Sequence, residues 1–294
     1  MNKEAFIKLA ENGPILLDGA MGTNLILAGM PRGSCSEAWI LDHPDVVRDL
    51  QSAYVKAGSQ IVYAPTFSAN RVSMDNMGMA SQVERFNREI PALTRSVIGP
   101  DVLMAGDMTT CGRMLEPKGK QSHDELFAAY AQQARLLTEA GCDLLIGETL
   151  LCEDEALILL DAAASVTDLA VMISFTVEGD GTMPFGGYVM DAAPNVEHMG
   201  AAAVGINCSM GPDQAAAVIR MLRERVSIPV IAKLNAGLPE IDDAGNVNYN
   251  IGPEDFKKYM GLLMDAGASV IGGCCGTTPA YIEGLRDLIL EKAR

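Results

Sequence analysis

The sequence predicts a single (β/α)8 barrel (a TIM barrel) over residues 1–294, with a short N-terminal helix, on three observations. Eight short apolar runs recur along the chain, a helical pattern follows the runs, and the residues able to do chemistry stand just past them. The 294 residues are 49% hydrophobic, ample for one large core, and α/β barrels reach about 250 residues as one unit.

The runs are Pro14–Leu17, Gln60–Tyr63, Val102–Ala105, Asp143–Ile146, Ala170–Ser174, Ala203–Ile206, Pro229–Lys233 and Ser269–Ile271. The clearest helical patterns are Pro44–Ala57, His123–Ala140, Glu153–Ser165, Asp213–Val226 and Pro253–Ala266, with apolar residues at three- and four-residue steps. Pro279–Lys292 follows the last run. Gly58, Gly141 and Gly267 each stand just past a helical segment, where a left-handed C-cap is favoured. Continuous apolar strands alternating with helices imply a parallel sheet covered on both faces. No Gly-x-Gly-x-x-Gly follows an early strand, and candidate chemistry follows many strands. Both facts favour a closed barrel over an open, doubly wound sheet. Three long connections, Leu25 to His43, Met108 to Ser122 and Val177 to Ala193, are expected as loops on the catalytic face.

Charge and composition narrow the function. The net charge is −16 with a pI near 4.5 and no Lys/Arg cluster, which argues against nucleic-acid binding. No window approaches the roughly 18 uninterrupted apolar residues of a membrane span, and the start lacks the features of a signal peptide. Seven cysteines, two of them adjacent, suit a reducing compartment. A cytoplasmic location is therefore expected. The seventeen methionines are read as core filling.

The candidate site residues follow the strands. Asp18, Gly19, Ala20 and Met21 end the first, Thr66 follows the second, Glu148 the fourth, Asn207 and Cys208 the sixth, Asn235 the seventh, and Cys274 and Cys275 the eighth. In a barrel these ends meet at one mouth. Strands six and eight lie roughly 9–10 Å apart across one neighbour, a gap that inward side chains can close. Zn–S bonds of about 2.3 Å then let three thiolates share one ion. Gly272, Gly273 and Gly276 are read as giving the backbone freedom to turn both adjacent cysteines inward. The competing readings are three ordinary buried thiols and a disulfide between Cys274 and Cys275. Cys35, Cys111, Cys142 and Cys152 receive no role, and no histidine stands at a strand end.

Three protein ligands leave a fourth position open, the catalytic arrangement for zinc. A thiol entering there loses its proton and stays nucleophilic, so alkyl transfer to sulfur is the reaction class expected. Asp18 and Glu148 are candidate acceptors for a substrate ammonium. The amides of the Gly19–Thr23 turn are candidates for its carboxylate, and Asn207 and Asn235 for hydrogen bonds or a displaceable oxygen ligand.

At these residues the chain resembles the homocysteine S-methyltransferase family, in particular the homocysteine-binding domain of cobalamin-dependent methionine synthase. The resemblance rests on Leu17-Asp-Gly-Ala-Met-Gly-Thr23, Gly205-Ile-Asn-Cys-Ser-Met-Gly-Pro212, Asn235-Ala-Gly-Leu-Pro239 and Gly272-Gly-Cys-Cys-Gly-Thr-Thr-Pro279. It implies a zinc-dependent barrel that methylates the homocysteine thiol to methionine, with Cys208, Cys274 and Cys275 as catalytic zinc ligands. It further implies Glu148 as the ammonium partner, Asp18 near the substrate, and Asn235 at the fourth zinc position before substrate arrives. Because the chain ends at Arg294, the methyl group is expected from a separate corrinoid protein carrying methylcobalamin. S-methylmethionine or S-adenosylmethionine is the other option as donor. The alternative reading keeps the chemistry but changes the thiol, or moves a methyl from a methylated substrate to a corrinoid. The chain departs from the family pattern at Ala64-Pro65, where Thr-Asn is usual, and at Gly106-Asp-Met-Thr-Thr110, where a Gly-Pro turn is usual.

Overall fold

The structure, a computed structural model, describes residues 1–241 and 247–293. Eight strands form one parallel barrel sheet: β1 (Ile15–Leu16), β2 (Ile61–Ala64), β3 (Leu103–Thr109), β4 (Leu144–Leu150), β5 (Val171–Phe175), β6 (Ala203–Asn207), β7 (Val230–Leu234) and β8 (Ala268–Gly273). Backbone ladders join β2 through β8 in order and then β8 to β1. The last edge, between β1 and β2, is closed in part by side chains. Gln60 N donates to Leu16 O (2.8 Å), Leu16 N donates to Gln60 Oε1 (2.9 Å), and Tyr63 N donates to Asp18 Oδ2 (2.8 Å). Asp18 thus stands in for a ladder partner where β1 is too short to supply one.

Strand periodicity separates two cores. One set of alternate residues, including Ile15, Ile61, Ala105, Ile146, Met172, Ile231 and Val270, fills the barrel interior. The other set packs outward on the surrounding helices. Helix α1 (Lys3–Glu11) is capped by Asn2, whose side chain accepts from Ala5 N, and inserts Phe6 into the base of the interior. The expected short N-terminal helix is therefore the barrel's floor.

The expected helices are present as α4 (Pro44–Ala57), α7 (His123–Glu139), α8 (Glu153–Ala164), α10 (Ala216–Arg225), α11 (Pro253–Asp265) and α12 (Pro279–Lys292), after α2 (Gly22–Leu27), α3 (Ser36–Asp42), α5 (Arg71–Asn76), α6 (Val83–Ile98) and α9 (Val189–His198) are placed between them. Gly58, Gly141 and Gly267 have φ of +112°, +84° and +113°, the conformation their position past a helix calls for.

Two expected loops are corrected. The connection from Leu25 to His43 holds the end of α2 and all of α3, and Val189–His198 is helical although Pro194 lies within it. β3 and β4 each run four residues past their expected ends, to Thr109 and Leu150, so Asp107, Thr109 and Glu148 are strand residues, not loop residues. A short hairpin, Pro239–Ile241 against Val247–Tyr249, follows β7.

Gly205 shows how closely the staves approach. A Cβ there would lie 2.0 Å from the carbonyl oxygen of Ile231 on β7. Gly205→Ala is therefore expected to cost at least about 3 kcal/mol, the upper range for overpacking, as read from denaturant midpoints. A loss under about 1 kcal/mol would show that the two strands part easily.

Candidate active site

Inward-facing positions change character from base to mouth. Ile15, Ile61, Leu144, Met172 and Val270 line the lower interior. Two or more residues further along, the same faces carry Tyr63, Asp107, Glu148, Ser174, Asn207 and Lys233, all buried. A cavity of about 220 Å³ opens above them, its wall shared by the Asp18–Thr23 turn, Pro65, Phe67, Asp107, Glu148, Lys233 and the three cysteines.

Cys208 follows β6, and Cys274 and Cys275 follow β8. Their three sulfurs lie within 4.8 Å of one another, the Cys208 and Cys275 pair at 3.5 Å. Three thiolates on one tetrahedral zinc stand about 3.8 Å apart, as bonds near 2.3 Å require, so the donor set fits such an ion. All seven cysteines are free, and no disulfide links the pair. Cys208 turns its side chain in with φ of +50°, a region costing a non-glycine residue about 1–3 kcal/mol. Cys274 is held by its N–H to Leu234 O (2.7 Å) and by the Thr277 hydroxyl on its carbonyl (2.8 Å).

The glycines here act differently from expectation. Of the three, Gly276 alone has a positive φ, +83°. Gly272 and Gly273 permit close approach instead: a Cβ at Gly273 would lie 2.4 Å from Thr277 Oγ1, and one at Gly272 would lie 2.8 Å from Leu17 Cβ. The sulfurs share protons. Cys275 is pushed down to about 3, chiefly by hydrogen bonds from Cys208 and Cys274. Cys208 is held well above the usual thiol range by the same bonds, since ionising it too would place like charges in contact.

Asp18 and Glu148 are joined by a residue that sequence reasoning missed. Lys233, 4% exposed, lies 3.6 Å from Asp18 Oδ1 and 3.8 Å from Glu148 Oε2, with Nζ 4.7 Å from the Tyr63 ring centre. Burial opposes its charge, but Glu148 and Asp18 outweigh that and hold its pKa above the ordinary lysine value. Burial lifts Asp18 to about 6 and Glu148 to about 7 against the pull of Lys233. Lysine inside an otherwise apolar run, two residues past inward-facing Ile231, was the available signal.

The other expected residues divide. Gly19, Ala20 and Met21 line the cavity, with Ala20 N donating to Thr277 Oγ1 (3.0 Å) and the Tyr54 hydroxyl donating to Ala20 O (2.7 Å). Thr66 is turned away: its hydroxyl donates to Asp107 O (2.8 Å), and Pro65 and Phe67 form the wall in its place. Asn207 stands behind Glu148. Its Nδ2 donates to Glu148 Oε2 (3.4 Å) and Thr149 Oγ1 (2.8 Å), and its Oδ1 accepts from Thr149 N and Ser174 Oγ, both at 2.8 Å. Asn235 Oδ1 is buried without a hydrogen-bond partner among the described residues, an orphaned oxygen of the kind a metal would satisfy. Sequence reasoning also missed Tyr249 on the hairpin, whose hydroxyl hydrogen-bonds the Cys275 sulfur.

Fold and site together define an α/β barrel with a three-cysteine centre at its mouth that can hold a metal. The sequence profile described as homocysteine S-methyltransferase matches residues 15–289. The chain belongs to the homocysteine S-methyltransferase family. It is 31% identical to a methionine synthase of Mycobacterium tuberculosis over 290 residues, covering 90% of this chain and 24% of that protein. The chain thus spans about a quarter of the length of that relative. It is 28% identical over 305 residues to an S-methylmethionine–homocysteine S-methyltransferase of Pongo abelii, covering 97% of this chain and 81% of the relative. In structure it is similar to the metallated homocysteine methyltransferase MmuM of Escherichia coli, with TM-score 0.78, 24% identity, and 95% and 98% of the two chains covered. That likeness bears on the fold.

Proposed function

We propose that this chain, as one barrel domain, methylates the thiol of homocysteine to give methionine at a zinc ion held by Cys208, Cys274 and Cys275. The observation that carries this reading is the meeting of three sulfurs from two strand ends beside buried carboxylates in one small cavity. Bound zinc supplies the Lewis acidity that makes an incoming thiol a thiolate at neutral pH. The chain's own residues do the rest. Glu148, oriented by Asn207, accepts the substrate ammonium. The Asp18–Thr23 turn, clamped by Tyr54 and Thr277, faces the substrate carboxylate. Leu25, Ile40, Pro65 and Phe67 exclude water from the reacting sulfur, and Asn235, with its unpartnered Oδ1, would offer the ion an oxygen ligand.

The methyl donor in this reading is methylcobalamin on a separate corrinoid protein. The Asn235-Ala-Gly-Leu-Pro239 stretch, similar to the corrinoid-dependent branch, supports it, as does the greater identity to methionine synthases. The match to an S-methylmethionine-dependent relative along 97% of the chain keeps that donor as the second reading. Pro65 on the cavity wall, where the family carries another residue, keeps a different thiol or the reverse transfer as the alternative for the acceptor. The unpaired cysteines support work in the cytoplasm, and no helix among the described residues is long and apolar enough to cross a membrane.

Purified zinc-loaded protein with homocysteine and methylcobalamin should yield methionine. No methionine from either donor, with zinc bound, would remove homocysteine as the acceptor. The pH dependence of product binding is a second test. Glu148 is raised to about 7, so it is charged above that value and neutral below. Methionine, which has no thiol to titrate, should bind several-fold more weakly at pH 6 than at pH 8, measured by calorimetry. Equal affinity at both would separate Glu148 from the ammonium.

A further inference from the structure

Three carboxyl groups and one amine of the barrel interior meet the cavity, so their charges are unequal. Asp18, Asp107 and Glu148 are acids and Lys233 is the one base among them. Lys233 pairs with Asp18 and Glu148, and no ion pair reaches Asp107 among the described residues. Asp107 is 5% exposed, and its Oδ1 has no hydrogen-bond partner among the described residues. Its neighbours do not relieve it. Thr66 and Gln133 both bond its main-chain oxygen, leaving the carboxyl group facing the cavity. Burial and then the charge of Glu148 raise its pKa well above the usual carboxylate range, against the weaker pull of Lys233.

A buried carboxylate without a partner is costly to keep. A site that retains one has a cation to offer it during function. β3 and β4 are adjacent, with Asp107 opposite Ile146 and Glu148 two residues further on the same inward face. The two acids therefore flank one portion of the cavity from neighbouring staves. Lys233 reaches Glu148 from β7 and attracts Asp107 too, but among the described residues it makes ion pairs with Asp18 and Glu148 and none with Asp107.

We propose that Asp107 is a specificity-determining residue: with Glu148 it receives the substrate's α-ammonium, and it makes the site select amino-acid thiols over simple carboxylate thiols. The proposal rests on the homocysteine reading above and adds to it a second acid. It also gives a function to the Asp-Met-Thr-Thr stretch after Gly106, which departs from the usual family turn. The chemical class selected is a primary or secondary ammonium next to a carboxylate, because two converging carboxylates need N–H donors to approach closely.

The test compares equilibrium binding of homocysteine and of 4-mercaptobutanoate, its analogue without the amino group, to zinc-loaded wild type, Asp107→Asn and Asp107→Ser. Wild type should prefer homocysteine, and both variants should lose about tenfold or more of that preference, the range for a hydrogen bond to a charged group. Zinc stoichiometry should stay at the wild-type value. The substrate-free Asp107→Asn protein should also melt about 2–4 °C higher, because a partnerless buried acid has become a neutral amide. A purely structural Asp107 would give the opposite sign. An unchanged preference in both variants, or a lower melting temperature with the preference kept, overturns the proposal while leaving the homocysteine reading standing. A wild type that binds the two thiols equally well, or neither, overturns both.

Discussion

Cys208→Ala is expected to leave a folded barrel that neither retains zinc nor forms methionine. The residue contributes one of three sulfurs within 4.8 Å of one another and sits outside the apolar interior, so its loss leaves the packing of β6 in place. The alanine has no need of the +50° φ that the cysteine adopts, so some of the strain at this position can relax. Two sulfurs and a displaceable oxygen make a much weaker site. Affinity for zinc should fall by more than the roughly 10- to 100-fold that loss of a contact supporting a ligand costs. After dialysis the zinc content should be near zero, with methionine formation at background and a far-ultraviolet circular dichroism spectrum like wild type. Retained zinc with lost activity would make Cys208 a reactive group other than a ligand. Retained activity would remove it from the site.

Lys233→Ala is expected to give the largest loss of stability of any single change at the cavity. Among the described residues the lysine is the one cation facing three buried acids, and breaking a buried ion pair from one side costs about 3–5 kcal/mol. The loss should depend on pH in a defined direction. Asp18 and Glu148 already have raised pKa values in the folded state, about 6 and about 7, and removing Lys233 raises them further. The folded variant then holds more protons than the unfolded chain, so its stability falls as pH rises. At pH 8 the full penalty should appear in the urea midpoint; near pH 5 the acids are neutral and most of it should vanish. An equal deficit at both pH values would mean that Lys233 acts through packing of its methylene stem under Tyr63 instead of through charge.

The fold was legible because parallel barrel strands are buried on both faces and leave continuous apolar runs. Each of Gly58, Gly141 and Gly267 marked a helix end through a conformation other residues avoid. The three-cysteine cluster was legible for a related reason: core packing alone seldom calls for adjacent cysteines set among glycines together with a third cysteine at another strand end. What escaped was governed by tertiary context. The apolar run stops at Ala105, which puts Asp107 in a loop by hydropathy, while β3 continues to Thr109. There the interior turns polar, and hydropathy no longer marks a strand. Lys233 closes an apolar run in the sequence, and only its alternation with Ile231 places it inward. Tyr249 reaches Cys275 from a hairpin whose strands are three residues each, too short to leave a pattern. Pro91 and Pro194 lie inside α6 and α9, masking helices that packing on the barrel holds together.

X-ray absorption at the zinc edge, recorded before and after homocysteine is added, tests the central claim most directly. Three sulfurs and one oxygen or nitrogen should surround the ion in the free protein, and four sulfurs near 2.3 Å in the complex. Two sulfurs or fewer in the free protein, or a sulfur count that homocysteine leaves unchanged, would contradict a three-cysteine centre with a place for the substrate thiol.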